Sequence, residues 1–164
     1  GGSVTAILDE IMDSETMTNI SQIRSQNGTM YTHAINVTVA ALMIGKRLHL
    51  NEGDLKRLGT GCMLHDIGKI FLHAQLEKSQ RGEPLSPKQQ QLLFEHPRLG
   101  YELLRTRNPD AVMANHVALE HHERQDGLGY PRGLHGTNSI DRPHNDKQNI
   151  LLIAEIAAVA DVYD

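Results

Sequence analysis

A histidine, a carboxylate and an amine fall within five residues in Met63-Leu64-His65-Asp66-Ile67-Gly68-Lys69-Ile70, inside otherwise apolar sequence. The apolar flanks place this stretch inside the fold. A charge there needs a partner or a metal, because an isolated buried ion is far more costly than a paired one. In a helix, neighbouring residues project about 100° apart. His65 and Asp66 can therefore face one cation, or Asp66 can reach across to a second. Gly68 suits a helix end, with Lys69 opening a new segment. The same pair is also what a buried histidine held by its neighbour looks like. The rest of the chain must supply further ligands for a site to form.

The surrounding sequence has the apolar spacing of helices. Val4, Ile7, Leu8, Ile11 and Met12, then Ile20 and Ile23, mark residues 4 to 24 as one helix. It is either a packed first helix or the end of a signalling helix. Asn27-Gly28 punctuates it. In a second helix from Thr29 to Leu50, His33, Val37, Ala40, Ala41, Ile44 and Leu48 share a face, so His33 points where the core residues point. Asn51-Glu52-Gly53-Asp54 has helix-start character and leads through Leu55, Leu58 and Cys62 to the His-Asp stretch. Residues 74 to 87 are polar, contain Gly82, Pro84 and Pro87, and read as a loop. Ser86 as cap and Pro87 in the first turn begin the next helix, which carries His96 on or beside its apolar face and breaks or kinks at Pro97. Pro109 opens another, ending at His121-His122-Glu123. Residues 124 to 149 lack periodicity and form a long loop, a feature that in a compact domain is usually functional. Ile150 to Val162 is strongly apolar, with Asp161 near its end. No stretch alternates as a strand does. The expected fold is all-α, a bundle of about six or seven helices with a metal site in its core.

Charge and cysteine content exclude several classes. Sixteen basic and twenty acidic residues give a net charge of −4 without a dense Lys/Arg run, which disfavours binding to duplex nucleic acid. No apolar run approaches the roughly 18 residues that span a membrane, and no signal peptide is apparent, so a cytoplasmic setting is expected. A single cysteine, Cys62, rules out an internal disulfide and a thiolate zinc site, and reads as a small buried apolar side chain. Gly1-Gly2-Ser3 reads as a cloning remnant. Residues 1–28 are then remnant plus leading helix, and 29–164 are the domain proper.

His33, His65, Asp66, His96, His121, His122 and Asp161 sit at apolar or helix-end positions of separate helices. Helical metalloproteins build their sites in this way. The nitrogen and oxygen donors suit iron, manganese or zinc. Seven donors are too many for one ion with an open position, but two ions about 3.5–4 Å apart, sharing Asp66 and a hydroxide, use them all. The resulting pocket is positive, Lys69 adds charge, and an anionic phosphodiester is the natural substrate. The shared hydroxide would attack phosphorus while the metals and Lys69 stabilise the developing charge. Taken singly, His33 and His96 read more readily as satisfied core histidines than as ligands. His121-His122 and Asp161 are harder to explain by packing. Glu123 is either an orienting partner for a ligand histidine or a solvated helix-end residue. His49, His73, His116, His135 and His144 read as structural or surface residues.

His65-Asp66-Ile67-Gly68-Lys69, His96-Pro97 with Gly100, and the run from His121-His122-Glu123 to Gly129-Tyr130-Pro131 resemble the HD-GYP subgroup of the HD phosphohydrolases, from about Met30 to Asp164. The resemblance implies an all-α hydrolase that cleaves cyclic di-GMP to pGpG or GMP. It implies metal ligands at the seven residues above, a bridging and catalytic Asp66, a catalytic and phosphate-binding Lys69, and iron or manganese as the metal. Where members with three metals carry a glutamate, this chain has Thr29, which implies a two-metal site. The Gly127-to-Pro131 loop matches one implicated in contacts with GGDEF-type diguanylate cyclase domains. Tyr130 offers a ring and a hydroxyl to substrate, with plain loop architecture as the other reading. Family domains also follow a sensory or receiver domain and continue past the aspartate matched by Asp161, so the chain is expected to be truncated at its C-terminus. Two further readings stand beside the enzyme: a weakly catalytic module that recruits partners, and a hydrolase of another nucleotide or cyclic dinucleotide.

Overall fold

The computed structural model describes residues 3–137, 139–142 and 148–164; Gly1, Gly2 and His144 lie outside them. Among the described residues there are nine α-helices, one 3-10 turn and no strand, with only isolated bridges from His135 to Asp126 and Asn149. The all-α class is as expected, but the helices are shorter and more numerous, for three local reasons. Residues 4 to 24 divide into α1 (Val4–Ile11) and α2 (Ser14–Gln26), because Asp13 turns extended and its carboxylate accepts the Thr16 N–H at 2.7 Å. The supposed loop from 74 onward contains α5 (His73–Gln80), a helix with no buried residue and so no apolar period to announce it. The helix begun at Ser86 ends early as α6 (Pro87–Leu93), and α7 (His96–Arg107) starts afresh with Pro97 in its first turn, where a missing N–H is no loss. Ser3, set aside as a remnant, caps α1 by accepting the Ala6 N–H at 3.2 Å.

The other elements are α3 (Gly28–Arg47), α4 (Glu52–Leu64), α8 (Val112–Glu120) and α9 (Leu152–Tyr163). Asn27 and Asn51 cap α3 and α4 through the N–H groups of Met30 and Asp54, at 3.0 and 2.8 Å. Helix α8 begins three residues after Pro109, not at it. α4 is central. It packs on α3, α8 and α9, and Leu42, Leu58, Cys62, Val117 and Ile153 are buried together with Ile7, Ile11, Ile20 and Ile23 of the leading helices. Each such side chain contributes on the order of 1.5–3 kcal/mol by leaving water. Burial pushes the Cys62 thiol far up, so it stays protonated. No described helix is long and apolar enough to cross a membrane.

Gly68 ends no helix. It lies inside the 3-10 turn Ile67–Leu72 together with Lys69, and that turn packs on α7. A β-carbon on Gly68 would stand 2.7 Å from the Gly100 nitrogen and closer still to the His96 carbonyl oxygen. Only glycine permits this contact of backbone on backbone. The contact carries the start of α7, and with it His96, to the side of Asp66.

Candidate metal centre

Seven side chains from five places converge. His33 comes from α3, His65 and Asp66 from the end of α4, His96 from the first turn of α7, His121 and His122 from the end of α8, and Asp161 from the last turn of α9. They form two groups of four that share Asp66, each with its donor atoms within 4.8 Å of one another. One holds Asp66, His96, His121 and His122; the other holds His33, His65, Asp66 and Asp161. Asp66 Oδ1 faces the first, 3.2 Å from His96 Nε2 and 3.4 Å from His121 Nε2. Its Oδ2 faces the second, 3.3 Å from His65 Nε2 and 3.8 Å from His33 Nε2. His33 lies beside the buried stripe of α3, with a quarter of its side chain exposed, and its Nε2 stands 2.7 Å from Asp161 Oδ1.

The backbone fixes which ring nitrogens point inward. His65, His96 and His121 donate Nδ1–H to the carbonyls three residues back, Cys62, Leu93 and Ala118, at 2.6, 2.7 and 2.9 Å. Each ring therefore turns its Nε2 to the centre, as is typical of metal-ligating histidines, and in its neutral form offers a lone pair there. His96 Nε2 and His121 Nε2 are 3.2 Å apart. Two lone pairs at that separation repel unless a positive charge lies between them. The buried His65 Nε2 and Asp66 Oδ1 have no hydrogen-bond partner at all. Buried orphans of this kind are rare and call for an explanation. The donor set fits divalent cations.

The electrostatics agree. Burial resists ionisation of Asp66, but His65, His121 and His96 outweigh it and hold the carboxyl well below its usual range. Burial likewise resists a charge on His65, and Asp66 and Asp161 overcome it, raising the imidazole to about 10. Both carboxylates thus draw positive charge inward. Burial lowers His121, and burial with the neighbouring rings of His121 and His96 brings His122 to about 3, which leaves both neutral and free to coordinate.

Lys69 and Tyr130 border the centre. Lys69 Nζ is 3.0 Å from Asp66 Oδ2, on the wall of a cavity of about 270 Å³ that also includes Asn27, Thr29, His33 and Gln80. Tyr130 stacks on His122 with ring centroids 4.8 Å apart and planes 12° from parallel, and burial raises its phenol to about 12. A larger cavity of about 590 Å³, lined by apolar residues including Ile44, Ile150 and Val159, shares no residue with the seven donors. His116 lies outside the cluster; its Nδ1 meets the Val112 carbonyl at 2.7 Å and its ring meets Tyr101.

Carboxylates around the cluster do work that the sequence did not indicate. Both oxygens of buried Glu123 accept backbone N–H groups, from Arg132 at 2.7 Å and Leu134 at 2.8 Å. Glu123 is thus neither solvated nor bonded to a ligand histidine; it anchors the loop that holds Tyr130. Gly129 presses on the backbone of residues 122–124 so closely that no β-carbon fits. Buried Glu120 accepts the Leu151 N–H at 3.0 Å and ties α8 to the start of α9. Arg142 binds Glu155 at 2.8 Å. Asp164 takes His33 Nδ1 at 2.6 Å. The one available signal was Glu120, a carboxylate in an apolar run.

Residues 15–140 match the family model described as HD domain. The chain is 32% identical over 158 residues to the cyclic di-GMP phosphodiesterase response regulator RpfG of Xanthomonas campestris pv. campestris, covering 94% of this chain and 38% of that protein. It is 32% identical over 147 residues to a cyclic di-GMP phosphodiesterase of Pseudomonas aeruginosa, covering 88% and 32%. It is 31% identical over 157 residues to 3'3'-cGAMP-specific phosphodiesterase 1 of Vibrio cholerae, covering 95% and 33%. The chain therefore spans about a third of the length of these relatives. With a family match across most of its residues and an all-helical bundle around a His/Asp cluster, the chain belongs to the HD domain family.

Proposed function

We propose that the domain is a metal-dependent phosphodiesterase acting on a cyclic dinucleotide. The observation that carries the reading is Asp66, whose two oxygens face two separate groups of donors. His33, His65, Asp66 and Asp161 would hold one divalent cation, and Asp66, His96, His121 and His122 the other. Iron or manganese suits this set of imidazoles and carboxylates. Bound there, such ions supply Lewis acidity, drawing in an anionic diester and activating water for attack on phosphorus.

The chain's own groups do the rest. The Lys69 ammonium, beside Asp66, binds a phosphate oxygen and stabilises charge as it develops. Asp66 holds the two donor groups in register. Tyr130 covers the ring of His122 and borders the substrate. Cyclic di-GMP is the first candidate substrate, giving pGpG or GMP, because two of the relatives above carry that activity in their names; 3'3'-cGAMP is the second. In this reading residues 29–164 are the catalytic domain, working in the cytoplasm downstream of a sensory or receiver domain. The Gly127-to-Pro131 loop is available to a GGDEF-type diguanylate cyclase domain.

Chromatography of cyclic di-GMP and 3'3'-cGAMP incubated with iron- or manganese-loaded protein tests the reading. Conversion of either to a linear product is expected. Binding of the dinucleotide without any conversion would replace the enzyme by a binding module.

A further inference from the structure

The chain has two phenylalanines and no tryptophan, and neither phenylalanine is in the core: Phe71 and Phe94 are each 54% exposed. Phe94 sits in the short link between α6 and α7. The residue before it, Leu93, supplies the carbonyl that orients His96, and His96 itself follows two residues later. The Phe94 ring meets the Tyr130 ring at 5.0 Å and 83°, and Tyr130 in turn stacks on His122. An aromatic series thus runs from a half-buried candidate ligand outward to an exposed ring. Core packing does not account for an aromatic side chain left in water beside the candidate metal centre. Exposed aromatic rings next to cationic groups are how proteins hold unpaired nucleobases, since every base has a face to stack.

We propose that Phe94 is the base-stacking wall of the substrate site, against which one purine of a bound cyclic dinucleotide lies while a phosphate reaches the metal centre. This rests on the cyclic-dinucleotide reading and adds to it a residue that acts on the base and not on the phosphate. Phe94 is therefore a specificity residue. Its loss weakens purine-bearing diesters and not diesters in general.

The test compares cyclic di-GMP with bis(2,2,2-trifluoroethyl) phosphate, a diester with neither bases nor aromatic rings, in wild type, Phe94→Ala and Phe94→Trp. The ratio of kcat/KM for the dinucleotide to that for the simple diester should fall about tenfold or more in Phe94→Ala, the size of a lost base–aromatic stack. It should recover in Phe94→Trp, which restores a face for a base to stack on, whereas a merely structural role would move both substrates together. Equilibrium binding of cyclic di-GMP to the metal-loaded protein should weaken in parallel, so the inference is tested even if turnover is slow. A proportionate loss on both substrates, or no change in either ratio or binding, overturns the role of Phe94 while leaving the phosphodiesterase reading intact. Wild type that neither binds nor hydrolyses the dinucleotide overturns both.

Discussion

Gly68 and Gly100 meet backbone to backbone, the Gly68 nitrogen lying 3.1 Å from where a β-carbon on Gly100 would stand. This contact, more than any side chain, sets Asp66 beside His96. A methyl at position 68 would strike the His96 carbonyl and the Gly100 nitrogen, and neither can move without shifting α7. Gly68→Ala should lower stability by about 2–4 kcal/mol. Thermal unfolding reads this directly, with loss of bound metal alongside it. A variant that melts like wild type would mean the two segments part freely.

Glu123 holds the loop by two N–H groups, and an amide in its place offers only one oxygen to accept them. Glu123→Gln should cost about 1–3 kcal/mol. It should also speed hydrogen exchange at the amides of Arg132 and Leu134 in particular. Unchanged exchange there would deny Glu123 its anchoring role.

Glu120 makes stability depend on pH. Burial raises its carboxyl from 4.5 to about 7, with the Leu151 N–H and Arg132 opposing. The folded pKa lies above the unfolded one, so this contribution is complete below about 4.5 and is lost as pH rises through about 7. The loss is at most about 3 kcal/mol. Glu120→Gln keeps an acceptor for Leu151 and removes the titration. Its melting temperature should decline less than that of wild type across this range, and equal slopes would contradict the assignment.

What could be read from the sequence was what helical periodicity and donor chemistry encode. The helix start at Asn51-Glu52-Gly53-Asp54, the cap at Ser86, the apolar character of α9 and the seven histidines and aspartates that converge were all legible, because each is a local pattern or a polar residue where apolar ones are due. The break at Asp13 was not, since the apolar spacing runs on through it. Helix α5 was missed because it buries nothing. The Gly68–Gly100 contact and the two bonds to Glu123 join residues far apart in sequence, and no local period records them. Phe94 sat in a stretch read as continuous helix, where an apolar residue drew no notice.

In the proposed reading Lys69 acts on substrate and not on the cations. Lys69→Met should lower kcat/KM for a cyclic dinucleotide about 100-fold, the effect of deleting one charge-stabilising donor. Metal content should stay at the wild-type value. If metal is lost together with activity, the ammonium serves the centre itself through its contact with Asp66.

Elemental analysis of protein purified without added metal bears most directly on the shared carboxylate. Wild type is expected to carry about two ions of iron or manganese per chain, as a pair bridged at Asp66 requires. Asp66→Asn should retain at most one. Wild type that stays free of metal even after dialysis against manganese or ferrous iron, or an Asp66→Asn variant that keeps the full pair, would contradict a centre built on Asp66.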